Sequence, residues 1–102
     1  MTRHWTHVSF AAVNALCLSR FEGLLGAWLP DGRLWGREWV ALNPTRADRL
    51  PGSFRINVDT GRWADFATND RGGDPVSLFA YLNNLSQSRA ARELKEQLGV
   101  AA

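Results

Sequence analysis

The stretch that decides the fold is residues 53–67, "SFRINVDTGRWADFA". Its first run alternates between two faces, with Phe54, Ile56 and Val58 on one side and Arg55, Asn57 and Asp59 on the other. A short turn at Thr60-Gly61 leads into a second run, "RWADFA". Two alternating runs joined by a short glycine-containing turn predict a β-hairpin. Burial of the apolar side then exposes Arg55 and Asn57 on the opposite face.

The second strand of this hairpin leaves the assignment of its faces open. Its two sides are Trp63 and Asp65, and Arg62, Ala64 and Phe66. Antiparallel pairing is expected to bring one of the two aromatic residues onto the face of Arg55. The pattern alone supports two interpretations. Either guanidinium groups lie beside a flat ring on an open face, or both rings are buried and the arginines only keep the sheet soluble.

The segments on either side of the hairpin region predict helices, over residues 8–28, 75–84 and 87–98. In the first, apolar residues recur at spacings of three and four. The second has Asp74 as a good N-cap and Pro75 as a good first residue. Ser86 is expected to cap the third helix, which Gly99 ends.

The β region is predicted over residues 37–67, and "REWVAL" (37–42) is its first strand. The order of elements predicts a single α+β domain over residues 1–102. We expect a small three-stranded antiparallel sheet with an N-terminal helix and two C-terminal helices packed on one face.

The composition is that of an ordinary globular protein, 45% hydrophobic and 22% charged. The longest apolar run, near residues 8–18, is too short and too polar for a membrane span. No signal-peptide cleavage site follows the start of the chain, so we expect a cytoplasmic protein with no membrane partner. The single cysteine, Cys17, excludes an internal disulfide and a zinc site of the CxxC type. We therefore expect no metal and no cofactor.

The sequence carries no nucleophile motif and no metal-ligand cluster, so we expect a protein that is not an enzyme. Binding is better supported. Of the 12 basic residues all but Lys95 are arginine, which makes planar contacts with phosphates and stacks on flat rings. The turn Gly72-Gly73-Asp74 has two interpretations: its backbone N–H groups bind an anion, or Asp74 already caps the helix that follows.

Four motifs carry a resemblance to a known family: "NPTR" (43–46), "GSFRIN" (52–57), "GRWADFA" (61–67) and "GGDPVSL" (72–78). Over residues 24–99 the chain resembles the N-terminal domain of primase-helicase proteins from proteobacterial plasmids, phages and integrated elements. That domain is similar in layout to the zinc-binding domain of bacterial DNA primases.

The resemblance implies a primase-like zinc-ribbon fold that has lost its zinc. In this comparison Asn43-Pro44-Thr45-Arg46 stands at the first zinc knuckle, and Ala64-Asp65-Phe66-Ala67 stands near the second. Every metal ligand is missing. We expect the apolar content, which includes five tryptophans, to replace the metal in holding so small a domain together.

The resemblance also implies a function: a non-catalytic domain of a primase-like replication protein that holds single-stranded DNA on its exposed sheet face. The candidate binding residues are Arg46, Arg49, Arg55, Asn57, Arg62, Trp63 and Arg71. The expected partner is single-stranded nucleic acid, DNA in particular, and primase or helicase subunits are candidate protein partners. The alternative is a protein-interaction module that docks on a primase or helicase through Trp28, Trp35 and Trp39.

Overall fold

The structure, a computed structural model, describes residues 9–98. Within this range the fold is α+β, as predicted, with four helices and a five-stranded antiparallel sheet. In chain order the elements are α1 (Phe10–Leu18), α2 (Phe21–Trp28), β1 (Arg33–Trp35), β2 (Glu38–Ala41), β3 (Phe54–Asn57), β4 (Trp63–Asp65), β5 (Asp70–Gly72), α3 (Pro75–Asn83) and α4 (Gln87–Gln97).

The predicted N-terminal helix is in fact two helices, α1 and α2, which meet at a bend of 89°. The backbone leaves helical geometry at Arg20, whose φ is −142° and ψ is 33°, and the Ser19 hydroxyl donates to the carbonyl of Leu16 (2.6 Å). The bend lets each helix bury its own apolar pair, Val13 and Cys17 in α1 and Phe21 and Leu25 in α2. Residue 8, the predicted start, lies outside the described residues.

None of the helices within residues 9–98 is, by itself, long and apolar enough to cross a membrane. The bent pair α1 and α2 passes such a test by length and composition alone.

The two C-terminal helices lie where the sequence predicts them. Asp74 caps α3 and its side chain accepts a hydrogen bond from the N–H of Ser77 (2.8 Å). Ser86 caps α4 in the same way, accepting from the N–H of Arg89 (3.1 Å). Gly99, the predicted end of the last helix, lies outside the described residues.

The sheet has two more strands than the predicted three, and its order is β1-β2-β3-β4-β5. The predicted strands are β2, β3 and β4, and the additional ones, β1 and β5, form the two edges. A two-residue turn of Gly36 and Arg37 joins β1 to β2, and Gly36 has the positive φ (62°) that such hairpin turns require. Between β4 and β5, Asn69 adopts a positive φ of 69°.

All helices that contact the sheet pack on one of its faces. Ala41, Phe54, Ile56 and Trp63 form one core cluster with Phe21, Leu25 and Leu29 from the α2 region and Leu78 from α3. A second cluster joins α1, α3 and α4 around Val13, Cys17, Val76, Phe79 and Leu94. The opposite face of the sheet belongs to neither cluster. Val40 on that face is buried, at 3% exposed, and the other side chains that project there from the five strands are half-buried or exposed.

Two phenylalanines test this assignment of faces. The side chain of Phe54 is 0% exposed, whereas that of Phe66, just after the neighbouring strand, is 72% exposed. We expect Phe54→Ala to lower the free energy of unfolding by about 3–5 kcal/mol, and Phe66→Ala by less than about 0.5 kcal/mol. Urea unfolding followed by tryptophan fluorescence measures both, and equal losses for the two variants would contradict the assignment.

Candidate nucleic-acid interface

A row of directly opposed residues crosses all five strands on the uncovered side of the sheet. The pairing register aligns Arg33 with Val40, Val40 with Arg55, Arg55 with Ala64, and Ala64 with Arg71. Directly opposed residues of antiparallel strands project to the same side. Arginines therefore occupy alternate strands, spaced by about 10 Å because neighbouring strands lie about 4.8 Å apart.

Two exposed aromatic rings flank this row. Trp35 is opposite Glu38 and its side chain is 66% exposed. Phe66 lies two residues beyond Ala64, and its N–H still donates to the carbonyl of Ser53 (2.8 Å), so the ladder and the alternation continue to it. Both rings thus project to the side of the arginine row.

Arg62 joins the same side at the other end of β4. The N–H of Asn57 donates to the carbonyl of Arg62 (2.7 Å), which extends the pairing of β3 with β4 by one residue. We call this surface the open face; its members are Arg33, Trp35, Glu38, Arg55, Asn57, Arg62, Ala64, Phe66 and Arg71. Much of it forms a shallow groove of about 420 Å³.

The open face is strongly basic. Among its members Glu38 is the one acid, and it pairs with Arg55 at 3.1 Å. Arg55 also donates through Nε to the carbonyl of Gly52 (2.8 Å). Within residues 9–98, the guanidinium groups of Arg33, Arg62 and Arg71 have no ion pair or hydrogen bond, which leaves them available to a ligand.

Asn57, a predicted binding residue, is on the open face but has a structural role. Its Oδ1 accepts hydrogen bonds from the backbone N–H groups of Asp59 (2.8 Å) and Thr60 (3.0 Å). The amide therefore holds the turn between β3 and β4.

Trp63 does not offer a ring to a ligand, which corrects the prediction. It projects to the core side, is 5% exposed, and its Nε1 donates to the Ser77 hydroxyl (2.9 Å). Its ring stacks on that of Tyr81 at 4.6 Å between centroids. The sequence predicts that either Trp63 or Phe66 shares the face of Arg55. The residue that does so is Phe66, which directly follows β4.

Arg46 is also removed from the predicted interface, because its guanidinium holds a buried carboxylate on the core side of β4. Its Nε and Nη2 donate to the two oxygens of Asp65 at 2.7 and 3.2 Å. Nη2 also donates to the Ser53 hydroxyl (3.0 Å), and Asp48 lies 3.4 Å away as a second acid. Arg49 lies in the exposed loop between β2 and β3, outside the sheet, so the strand register does not place it on the open face.

The Asp65 carboxylate joins a larger polar network between the sheet and α3. Asn43 donates through Nδ2 to Asp65 (2.8 Å) and to the Tyr81 hydroxyl (2.9 Å). Tyr81 in turn donates to Asp70 (2.7 Å), and Thr45 donates to the side-chain oxygen of Asn43 (2.8 Å). The two segments that the resemblance aligns with zinc knuckles are thus joined by hydrogen bonds and an ion pair.

This network sets the ionisation of its charged groups. The hydrogen bond from Arg46 is the main reason why the pKa of Asp65 lies well below its ordinary value, with further help from Asn43 and the N–H of Ala67. The same contact raises the pKa of Arg46. Asp65 is consequently a carboxylate in the folded domain near neutral pH.

Two further observations concern the ionisable groups of residues 9–98. No group of three or more His, Cys, Asp or Glu side chains within residues 9–98 could hold a metal ion. Burial raises the pKa of the Cys17 thiol to about 11, which keeps it protonated and unreactive near neutral pH.

The N–H groups at the start of α3 already have acceptors, which favours the second interpretation of the glycine turn, in which Asp74 caps the helix. The N–H of Ser77 donates to the Asp74 side chain and that of Val76 to Asn14 (2.9 Å). Pro75 has no N–H. The N–H of Leu78 donates to the backbone carbonyl of Asp74 (3.1 Å). The turn is therefore a capped helix start.

The predicted tryptophan patch is not assembled. Trp28 packs between Phe21 and Phe79, at 6.2 and 5.2 Å between centroids, and Trp39 donates to the carbonyl of Leu29 (3.2 Å). Trp35 alone of the three is well exposed, and it lines a concave surface with Leu34, Val40 and Pro51 as well as the charged Asp31 and Arg33. The sequence pattern does not predict that Trp35 and Arg33 lie on an exposed strand, because residues 33–35 belong to a segment whose composition is typical of a turn-rich connection.

Two aspartates in arginine pairs provide a matched test of the buried network. Asp65 is fully buried, whereas Asp59 pairs with Arg37 on the surface, with both side chains more than half exposed. We expect Asp65→Ala to lower the free energy of unfolding by about 3–5 kcal/mol, because it leaves Arg46 and Asn43 without their acceptor. Asp59→Ala should change it little. Comparable losses in urea unfolding would contradict a structural role for the network.

The depressed pKa of Asp65 also predicts a pH dependence. Its contribution to stability is fully present above the pKa of the unfolded chain, 3.8, and is lost as the pH falls below that value towards the lower folded pKa. We expect the unmodified protein to lose stability below about pH 4 more steeply than Asp65→Ala, by up to about 1.4 kcal/mol per pH unit. Parallel curves of unfolding free energy against pH would contradict this assignment.

No family model matches the chain, and no curated protein matches its sequence. The likeness to primase-helicase domains therefore rests on the four sequence motifs. The interface described above rests on strand register, exposure and charge.

Proposed function

We propose that the open face binds single-stranded DNA, and that the protein is a non-catalytic, primase-like replication domain. It holds an unpaired strand for polymerase or helicase parts that lie elsewhere. The observation that carries this proposal is the composition of one uncovered sheet face: four arginines and two exposed rings with a single acid.

The chemistry of this face suits an unpaired strand. Guanidinium groups bind phosphates, and the rings of Trp35 and Phe66 give flat surfaces on which bases can stack. Stacking on a protein ring requires bases that are not paired and stacked within a duplex. The rings lie at opposite corners of the face, three strands apart, so a strand that reaches both passes over the central Arg55.

The choice of DNA and of a replication role comes from the resemblance. The motifs of residues 43–78 resemble those of primase-helicase N-terminal domains, and the similar zinc-binding domain of DNA primases contacts a single-stranded template. The cytoplasm is the compartment in which such a domain acts, and primase or helicase subunits are its candidate partners.

Removing free arginines from the open face tests the proposal. We expect Arg62→Ala and Arg71→Ala each to weaken binding of an eight-nucleotide single strand roughly threefold to tenfold at low salt. Each change should also reduce the slope of log K against log salt by about 0.7, the value for one phosphate contact with a single strand. Fluorescence anisotropy at several salt concentrations measures both quantities.

Arg92→Ala is the matched control, because Arg92 is exposed on α4, away from the sheet. It should leave affinity and slope unchanged. If Arg62→Ala and Arg71→Ala also bind as the unmodified protein does, the open face is not the binding surface.

The single acid of the open face gives a prediction of opposite sign. Glu38→Gln removes the partner of Arg55 and a negative charge close to the strand, so binding should become roughly fivefold tighter at low salt. Glu93→Gln removes an acid paired with Arg89 on α4 (3.1 Å) and serves as the control, with no expected effect. Weaker or unchanged binding by Glu38→Gln would contradict the account.

A second candidate function is docking to a protein partner at the β1 edge. Leu34 and Trp35 are exposed there and line a concave surface of about 650 Å³ together with Val40 and Pro51. Leu50, which precedes Pro51 in the chain, is 78% exposed. Such apolar docking would depend little on salt, whereas strand binding weakens steeply as salt rises. The salt series above therefore separates the two functions.

A further inference from the structure

A second concave surface adjoins the open face across the edge strand β5. It is a cleft of about 830 Å³ between β5 and the end of α3, within the range of small-molecule sites. Arg71 and Gly72 line both this cleft and the groove of the open face. A ligand on the open face can therefore continue over β5 into the cleft without leaving the protein surface.

One wall of the cleft is apolar and fixed in position. It consists of the ring of Tyr81 with Leu82 and Leu85. The Tyr81 ring is held by its stacking on Trp63 and by hydrogen bonds of its hydroxyl with Asn43 and Asp70. A rigid aromatic and aliphatic wall suits the flat face of a nucleobase.

The other lining residues offer hydrogen-bonding groups suited to the edge of a base. The side-chain amides of Asn84 and Gln87 have no hydrogen-bond partner within residues 9–98, and both line the cleft. Amide side chains are among those that read base edges. Asp74 contributes a carboxylate, which only accepts hydrogen bonds and repels phosphate.

The division of charge orients a nucleotide in the cleft. Arg71, at the mouth shared with the open face, attracts a phosphate, whereas Asp74 favours a group that donates hydrogen bonds. The N–H groups of Val76 and Ser77 at the start of α3 are already occupied, so these two donors do not compete with Arg71 for the phosphate. The base end of a nucleotide consequently belongs inside the cleft and its phosphate at β5.

We infer that the cleft holds one base of the strand bound on the open face, with the phosphate of that nucleotide at Arg71, and that it favours bases carrying an exocyclic amino group. This inference rests on the proposed function. It assigns base preference to Asp74 at the start of α3, which is not a member of the open face.

Cytosine and thymine provide matched probes, because both are pyrimidines and cytosine carries an amino group where thymine has a carbonyl oxygen. We expect the octamer of deoxycytidine to bind roughly threefold to tenfold more tightly than the octamer of thymidine. The salt slopes of the two should be equal, because the phosphate contacts are shared. Fluorescence anisotropy with end-labelled octamers measures both.

Three variants locate the preference. Asn84→Gly keeps the left-handed backbone of Asn84 (φ 55°) while removing its amide, Gln87→Ala removes the second amide, and Asp74→Asn keeps a good helix cap. Asp74→Asn should bring the affinity ratio of the two octamers closer to one, because the carboxylate only accepts hydrogen bonds whereas an amide also donates them. Asn84→Gly and Gln87→Ala should weaken both octamers alike, and none of the three changes should reduce the salt slope. Asn69→Gly is the control, since Asn69 has a similar backbone (φ 69°) in the β4–β5 turn and does not line the cleft.

The outcomes separate this inference from the proposed function. Equal affinity for the two octamers, with a steep salt slope, would overturn the cleft assignment and leave strand binding intact. A preference that survives Asp74→Asn would also overturn it. If neither octamer binds, the proposed function fails and the inference fails with it.

Discussion

The buried carboxylate of Asp65 is the constraint on which the rest of this structure depends. A fully buried charge at the end of β4 is tolerated because Arg46, Asn43 and the N–H of Ala67 all donate to it. These contacts fix which side of β4 points inward. Because side chains alternate along a strand, burial of Asp65 and Trp63 directs Arg62 and Phe66 outward. One interaction thus secures the core and sets the composition of the open face.

The arginines of the sheet region include two groups with different roles. Arg46 holds the β2–β3 loop against β4, and Arg37 pairs with Asp59 at a turn. The second group projects from the open face and consists of Arg33, Arg55, Arg62 and Arg71. Within residues 9–98, Arg55 is the one member with an ionic partner, Glu38. The ion pairs of Arg46 and Arg37 thus join loops and turns of the domain, whereas the guanidinium groups of Arg33, Arg62 and Arg71 stay available to a ligand.

The sequence predicts those elements of the fold that are determined by neighbouring residues, and it does not predict those that depend on contacts between distant segments. The alternation of residues 54–57 and the caps Asp74 and Ser86 are local, and the predicted elements are present. The edge strand β5 contains Gly72 and follows a turn, so its extended form depends on pairing with β4, which the local pattern does not reveal. The bend between α1 and α2 follows from burial in two separate clusters, with no proline to mark it. The ion pair of Arg46 with Asp65 also depends on tertiary contact, because the two residues are nineteen positions apart in sequence. The local pattern therefore could not predict it.

Nuclear magnetic resonance of alanine methyl groups during titration with a short single strand tests the central claim most directly. Ala64 lies on the open face between Arg55 and Arg71, whereas Ala41 is buried on the opposite side of the sheet and Ala90 within the helices. The account predicts that the Ala64 signal shifts with the added strand while those of Ala41 and Ala90 stay in place. An unmoved Ala64 signal, with the changes confined to Ala90 and its helix, would contradict it.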